Sequence, residues 1–248
     1  MPLGKLNITS AFAVTFDRKM RTTNEPYFLR VKICGITCVE DGLAAAEAGA
    51  DFLGYIFHPP SPRFVTSAEA AEIIRHVREQ FPAVKHVGVF VDADYAAMQK
   101  ICADCRLDYA QLHGHESPQT CAALAHDGFP VIKVMRFAHE AGVQQWQRYS
   151  TELLLCDTYD KHIAGGTGRP FDLGILPHEM ALTNVLIAGG LTGANVNEAA
   201  ALRPFGVDVS SGVEESPGRK SVAKLREFFN AVSPFRHGRI EYLAEAQK

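Results

Sequence analysis

Short apolar runs, rich in β-branched and aromatic residues, alternate with amphipathic segments over most of the chain. Each run is four to six residues long and begins roughly 20 to 35 residues after the previous one. This alternation is typical of βα units built around a parallel sheet. The predicted strands are 30–34, 52–57, 86–91, 109–112, 131–135, 152–156, 184–188 and 207–210.

The segments between these runs have helical spacing and recognisable helix ends. One segment places apolar residues at i, i+3, i+4 and i+7, the pattern of a helix with a single buried face: Ala70, Ile73, Ile74 and Val77. Side-chain oxygens at a helix start accept hydrogen bonds from first-turn N–H groups. The predicted N-caps are Thr37 in a capping box with Glu40, Ser67, and Ser117 before Pro118.

Eight βα units in about 220 residues predict an α/β protein with a closed (β/α)8 TIM barrel. The barrel is predicted over residues 29–233, with an N-terminal extension at 1–28 and a C-terminal tail at 234–248. An open doubly wound sheet is the alternative. In a barrel, chemistry comes from residues at the C-terminal ends of several strands, so those positions are the ones to inspect.

Composition narrows the possible function classes. The 248 residues are 47% hydrophobic and 21% charged, which excludes a disordered or low-complexity chain. Lys and Arg number 25 against 28 Asp and Glu, so the net charge of −3 argues against a nucleic-acid partner. The chain has no secretory signal and no apolar run of the roughly 20 residues that span a bilayer, so we expect a soluble cytoplasmic protein without a membrane partner.

The six cysteines are expected to be thiols in a reducing compartment. Cys102 and Cys105 form a C-x-x-C pair on a predicted amphipathic helix, where core packing is favoured over redox chemistry or zinc. His113 and His115 flank a glycine, and no distant ligand accompanies them. We therefore predict no metal site, a substrate contact for His113 at the end of the fourth strand, and a solvated His115.

A thiol and a carboxyl group stand at two predicted strand ends, where barrel chemistry occurs. Cys34 ends the first strand, and Asp157 follows the sixth. A lone cysteine there is more often a packing residue, but its pairing with Asp157 favours acid–base chemistry. Cys34 could act as a base only as the thiolate, and Arg63 after the second strand is a candidate cation to favour that form.

Glycine-rich loops follow the last three strands. Residues 165–168 read Gly-Gly-Thr-Gly, Gly189 and Gly190 follow the seventh strand, and Ser210, Ser211 and Gly212 follow the eighth. Barrels often bind phosphate with the loops after strands seven and eight, because glycine lets backbone N–H groups approach an anion. Tight turns are the alternative for either loop alone, whereas both loops together favour a phosphate site.

Two pairs of residues share a strand face and are predicted to point into the barrel. Lys32 and Cys34 are two residues apart on the first strand, and Asp208 and Ser210 are two apart on the eighth. Asp208 could accept a hydrogen bond from a sugar hydroxyl. It could equally neutralise Lys32 inside the barrel, and the sequence leaves both roles open.

Six motifs, in order, make the chain over residues 29–232 closely resemble the phosphoribosylanthranilate isomerase family of tryptophan biosynthesis. The resemblance implies a cofactor-free Amadori rearrangement of N-(5-phosphoribosyl)anthranilate to 1-(2-carboxyphenylamino)-1-deoxyribulose 5-phosphate. It departs at Leu173, where the family commonly has Trp. The motifs are Lys32–Thr37, Ser61–Arg63, Gln111–Gly114, Gly165–Gly168 with Phe171 and Asp172, Ala188–Leu191, and Val207–Glu214.

The resemblance also implies roles for individual residues. Asp157 would be the general acid that protonates the furanose oxygen, and Cys34 the general base that removes the C2 proton. Arg63 would position the anthranilate end, and Gln111 and His113 would contact a small phosphoribosyl substrate. The loops after strands seven and eight would clamp its phosphate. The expected assembly is a monomer or a homodimer.

The residues at the strand ends also allow two alternative functions. The related isomerase of histidine biosynthesis resembles a two-fold repeated barrel with aspartate at the base position, whereas here the first strand ends in Cys34. The loop 91–94 also lacks a second glycine phosphate site. A non-catalytic barrel that binds phosphorylated metabolites, or a thiol sensor, would keep its function after Cys34→Ser.

Overall fold

The computed structural model describes residues 27–136, 146–157, 176 and 180–236. Eight parallel strands form a closed barrel, because the first strand pairs with both the second and the eighth. The predicted (β/α)8 barrel is confirmed. In the alternative, an open doubly wound sheet, the two outermost strands would each have one edge without a neighbouring strand. The strands are β1 (Arg30–Cys34), β2 (Phe52–Ile56), β3 (Lys85–Phe90), β4 (Tyr109–Leu112), β5 (Val131–Arg136), β6 (Leu153–Asp157), β7 (Val185–Ala188) and β8 (Gly206–Val209).

Both faces of the barrel strands are buried, and this accounts for their near-continuous apolar runs. Successive side chains alternate between the barrel interior and the surrounding helices. The larger cluster of buried residues joins the outer strand faces to the helices. A second cluster of buried residues lies among the strands: Phe52, Val87, Ile132, Val134, Leu153, Leu155, Leu186 and Ala188.

Helices follow the strands on the outside of the barrel, as the apolar spacing predicted. Ala70, Ile73, Ile74 and Val77 all lie on the buried face of one of them. In the part of the chain that the structure describes, no helix is long and apolar enough to cross a membrane. The helices are Val39–Ala48, Ser67–Gln80, Tyr95–Asp104, Pro118–His126, Val196–Ala201 and Val222–Val232, with 3₁₀ turns at Trp146–Arg148, Leu182–Asn184, Ser211–Val213 and Ser233–Phe235.

Two of the three predicted helix starts agree closely with the structure. Ser117 is the N-cap of its helix, and its side chain accepts a hydrogen bond from the Thr120 N–H. The predicted cap at Ser67 was wrong by one residue. Thr66 is the N-cap and forms a capping box with Glu69, so Ser67 becomes the first helical residue.

The predicted capping box at Thr37 was wrong. The N-cap is Cys38, whose side chain makes no capping hydrogen bond. The Thr37 hydroxyl instead donates to the carbonyl oxygen of Gly218 at 2.5 Å. The Thr37 hydroxyl, which the local pattern assigned to the helix start, therefore bonds to a residue 181 positions away in sequence.

A short antiparallel hairpin after β8 was not predicted from the sequence. Its strands are β9 (Glu214–Ser216) and β10 (Arg219–Lys220). Lys220 donates from Nζ to the carbonyl oxygen of Cys34 at 2.6 Å. The hairpin therefore returns the chain to the C-terminal end of β1, where it contributes charged side chains to the barrel mouth.

Candidate active site

A cavity of about 280 Å³ opens at the C-terminal ends of the barrel strands. This is the end at which TIM barrels carry their active sites. Eleven residues that the sequence predicted for the site line this one cavity: Cys34, Arg63, Gln111, His113, Asp157, Gly189, Gly190, Asp208, Ser210, Ser211 and Gly212.

A larger cavity of about 750 Å³ lies at the opposite end of the barrel. Its wall includes the first residues of five strands, Arg30, Phe52, Lys85, Tyr109 and Leu153. The size of a cavity does not identify its chemistry. The smaller cavity is the candidate active site because a thiol, a carboxyl group and an imidazole share its wall.

Cys34 lies at the end of β1 with only 6% of its surface exposed. Burial raises the pKa of the Cys34 thiol, and the Lys32 ammonium opposes that rise most strongly. The thiol is therefore protonated at rest at neutral pH. Arg63, the candidate cation from the sequence, interacts electrostatically with Cys34 but is paired with Glu214, and Lys32 is the cation with the largest effect on the thiol.

Lys32 and Asp208 form an ion pair inside the barrel. The Lys32 Nζ lies 2.8 Å from Asp208 Oδ1, and the Lys32 side chain is completely buried. Burial alone lowers the pKa of Lys32, but the Asp208 carboxylate and Cys34 together hold it above its ordinary value. The structure thus shows the neutralising role for Asp208. Its side chain also borders the cavity, so a contact with a sugar hydroxyl stays a prediction.

His113 links the end of β4 to Asp157 at the end of β6. Its Nε2 lies 3.8 Å from Asp157 Oδ2, and its Nδ1 lies 3.5 Å from Gln111 Nε2. Burial, followed by the charge of Arg136, lowers the pKa of His113 to about 4. The ring is therefore neutral at pH 7. His115, predicted to be solvated, has 87% of its side chain exposed.

The loops after β7 and β8 meet backbone to backbone. Gly189 and Gly190 have φ angles of +104° and +63°, which favour glycine. A Cβ on Gly212 would overlap the carbonyl oxygen of Leu191. The 3₁₀ turn Ser211–Val213 leaves its first N–H groups without a partner within the turn, as helix starts do. The arrangement suits an anion.

Part of the predicted site lies outside the described residues. This applies to the glycine-rich loop 165–168, to Phe171 and Asp172, and to Leu173. Two charged residues at the site received no role from the sequence. Glu214 and Lys220 are buried beside Arg63 and Cys34, and only the place of Glu214 within a motif pointed toward it.

Gly54 on β2 leaves the space that the Cys34 thiol occupies. A Cβ on Gly54 would lie 2.8 Å from Cys34 Sγ and 3.1 Å from Lys32 Nζ. We expect Gly54→Ala to displace the thiol and to lower kcat by about tenfold or more, since a misplacement of about 1 Å can cost 10²-fold. Steady-state kinetics on the purified variant measures this.

Gly88→Ala on the neighbouring strand β3 is the matched control. The Cβ added there would overlap the side chain of Leu107, away from the cavity. It should lower the melting temperature and leave kcat within about threefold, the loss being one of packing. Equal effects of the two variants on kcat would contradict the specific role of the space at Gly54.

A closed (β/α)8 barrel that gathers ionisable side chains in a cavity at the C-terminal ends of its strands defines an enzyme of the TIM-barrel class. Residues 31–231 match a family model described as N-(5'phosphoribosyl)anthranilate (PRA) isomerase. The chain belongs to this family and is an isomerase.

Individual relatives agree with the family match. The N-(5'-phosphoribosyl)anthranilate isomerase of Pelobacter propionicus is 42% identical over 211 residues, which cover 84% of this chain and 97% of that protein. The isomerase of the same name from Geobacter metallireducens is 44% identical over 201 residues, covering 81% and 96%.

Solved structures are similar over the same part of the chain. Phosphoribosyl anthranilate isomerase from Thermotoga maritima superposes with a TM-score of 0.71 at 32% identity, covering 84% of this chain and all of that one. A second structure of such an isomerase holds reduced 1-(o-carboxyphenylamino)-1-deoxyribulose 5-phosphate. It has a TM-score of 0.69 and 31% identity, with the same coverage.

Proposed function

We propose that this protein converts N-(5-phosphoribosyl)anthranilate to 1-(2-carboxyphenylamino)-1-deoxyribulose 5-phosphate in tryptophan biosynthesis. One observation carries the proposal. Cys34 from β1 and Asp157 from β6 line a single cavity, together with the glycine-containing loops after β7 and β8. Opening and isomerising a phosphorylated sugar needs a proton donor, a proton acceptor and a phosphate anchor, and the cavity has candidates for all three.

The proposed reaction begins with Asp157 in its acid form. Asp157 gives its proton to the furanose ring oxygen, and the C1–O bond breaks to leave an open-chain Schiff base and a C4 hydroxyl. The Cys34 thiol releases its own proton to water in the cavity, and the resulting thiolate removes the C2 proton. The electron pair of that C–H bond moves toward the nitrogen to form an enolamine. Loss of the C2 hydroxyl proton and protonation at C1 give the aminoketone. No redox change occurs.

Charged side chains around Cys34 act on the ionisation of its thiol in both directions. Burial and the Asp208 carboxylate raise the pKa of the Cys34 thiol and keep it protonated, while the Lys32 ammonium and, more weakly, Lys220 favour the thiolate. The Schiff base nitrogen is cationic, so its formation beside the thiol makes the C2 proton more acidic. General acid and general base catalysis each contribute about 10²- to 10⁴-fold.

The direct test is consumption of N-(5-phosphoribosyl)anthranilate by the purified protein, followed by the fluorescence of the substrate. We expect turnover without added metal or nucleotide, and the same rate in EDTA, because no proposed step uses either. Rescue of a tryptophan auxotroph that lacks this isomerase tests the pathway. Soluble protein that neither turns over the substrate nor rescues growth would favour a non-catalytic binding barrel.

A further inference from the structure

Arg63, Glu214 and Lys220 form one hydrogen-bonded network at the edge of the cavity, here called the Arg63–Glu214–Lys220 network. Arg63 Nε lies 2.8 Å from Glu214 Oε1, and Arg63 Nη2 lies 2.6 Å from Glu214 Oε2. Lys220 Nζ lies 2.8 Å from the same Oε1. The side chains of Glu214 and Lys220 are 4% and 1% exposed, against 20% for Arg63, so the network is buried except at its arginine.

The contact with Glu214 uses only one of the two hydrogen-bonding edges of the Arg63 guanidinium. A guanidinium has two edges that can each hold a carboxylate through two parallel N–H bonds. Glu214 occupies the edge formed by Nε and Nη2. Among the described residues no hydrogen bond uses Nη1, so the edge formed by Nη1 and Nη2 retains its donors there, and Arg63 borders the cavity. A second carboxylate can therefore bind there with a fixed orientation.

Lys220 connects this arginine to the two strand ends that carry the thiol and the phosphate loop. Its ammonium group has three N–H donors and three acceptors, which are Glu214 Oε1, the Cys34 carbonyl at 2.6 Å and the Ser210 carbonyl at 3.3 Å. Every donor is thus used. The position of Arg63 is fixed relative to the backbone of Cys34 on β1 and of Ser210 after β8.

The packing around Gly35 supports this close coupling. Gly35 follows Cys34 and has a φ angle of +77°. A Cβ there would lie 2.6 Å from Arg63 Cδ and 3.1 Å from Ser210 Oγ. The aliphatic part of Arg63 therefore lies directly over the residue that follows the thiol, in space that any larger side chain would fill.

Stability alone gives no reason to bury these charges. Replacing a buried ion pair by well-packed apolar residues is often neutral or stabilising. The network also holds two cations against one carboxylate, so it keeps a positive charge next to the cavity. An arrangement of this kind is expected where an anionic group of a ligand completes it.

We propose that Glu214 is a positioning residue that orients Arg63 to receive the ring carboxylate of the substrate through two hydrogen bonds. The inference rests on the proposed function, which supplies a carboxylate on the anthranilate ring. Glu214 touches no substrate atom itself. Replacing Glu214 should therefore weaken binding only of ligands that carry the ring carboxylate. Loss of a residue with a general structural role would weaken binding of ligands with and without it.

The test compares binding of two analogues to the Glu214→Gln variant and the wild type. One is reduced 1-(o-carboxyphenylamino)-1-deoxyribulose 5-phosphate, and the other is the same compound without the ring carboxylate. Wild type should prefer the carboxylated compound by about 10- to 100-fold, since hydrogen bonds between charged groups are worth about 1.5–3 kcal/mol. Glu214→Gln should reduce this preference to about threefold or less, by isothermal titration.

Two further variants sharpen the comparison. Glu215→Gln removes the adjacent, exposed glutamate and should keep the full preference. In an Arg63→Ala background, Glu214→Gln should change the preference by less than about twofold, because two residues that act through one contact are not additive. If Glu214→Gln does not fold, Arg63→Lys tests the same edge, since an ammonium cannot bind two carboxylates edge-on.

The outcomes separate this inference from the proposed function. Wild type that binds neither analogue overturns both. Wild type that prefers the carboxylate, with Glu214→Gln keeping that preference or weakening both analogues equally, overturns the positioning role alone. In kinetics, Glu214→Gln should raise KM by a factor similar to the lost preference with kcat within about threefold, because the carboxylate contact is equal in ground and transition states.

Discussion

Cys34→Ala is expected to lower kcat by about 10²- to 10⁴-fold, which is the contribution of a positioned general base. The side chain at the end of β1 is the group proposed to accept the C2 proton, and alanine has no atom that can do so. The loops after β7 and β8, which are proposed to bind the phosphate, are untouched by the change. Binding of a product analogue should therefore stay within about threefold, as for loss of a group that acts only in the transition state.

Cys34→Ser separates chemistry from packing. Serine keeps a side chain of similar size, but its hydroxyl is a far weaker acid than a thiol and supplies almost no anion at neutral pH. We expect a loss of kcat close to that of Cys34→Ala. The binding-barrel alternative predicts unchanged ligand binding in this variant, and wild-type turnover in Cys34→Ser would remove Cys34 from the mechanism.

Cys102→Ala is the matched control for loss of a buried thiol. Cys102 is completely buried in the helix Tyr95–Asp104, on the outside of the barrel. Its replacement should lower the melting temperature by creating a small cavity and should leave kcat unchanged. A comparable fall in kcat for Cys102→Ala would mean that the effect of Cys34→Ala comes from lost packing.

Much of the barrel could be predicted because its strands are buried on both faces. Such strands appear as short apolar runs, and β1 and β4 begin and end at the predicted residues. The candidate site followed from the same geometry. Residues at the C-terminal ends of parallel strands converge whatever their separation in sequence, so Cys34 and Asp157 could be placed in one cavity before their surroundings were known.

What could not be predicted are contacts that depend on which side chains meet. Arg63 and Glu214 are 151 residues apart, and no period in the sequence joins them. Alternation on β1 predicted that Lys32 and Cys34 share the barrel interior, but not that Lys32 has the largest electrostatic effect on the thiol while Arg63 pairs with Glu214. The Thr37 hydroxyl likewise has a distant partner in place of its helix.

Asp157→Asn is expected to lower kcat by about 10²- to 10⁴-fold, the contribution of a positioned general acid. An amide of the same shape can still form hydrogen bonds but has no acidic proton for the ring oxygen. Product-analogue binding should stay within about threefold. Asp92→Asn is the matched control, because Asp92 lies after β3 on the same rim of the barrel but outside the cavity wall.

The two catalytic substitutions should fail at different steps, and deuterium at C2 of the ribose can distinguish them. Asp157→Asn slows ring opening, in which the C2–H bond stays intact, so its residual turnover should show almost no isotope effect. Cys34→Ala slows removal of the C2 proton, so its residual turnover should show a larger effect than wild type. A large isotope effect with Asp157→Asn would mean that Asp157 assists cleavage of the C2–H bond, which contradicts its assigned role in ring opening. No isotope effect with Cys34→Ala would mean that Cys34 does not act on the C2–H bond, which contradicts its role as the base.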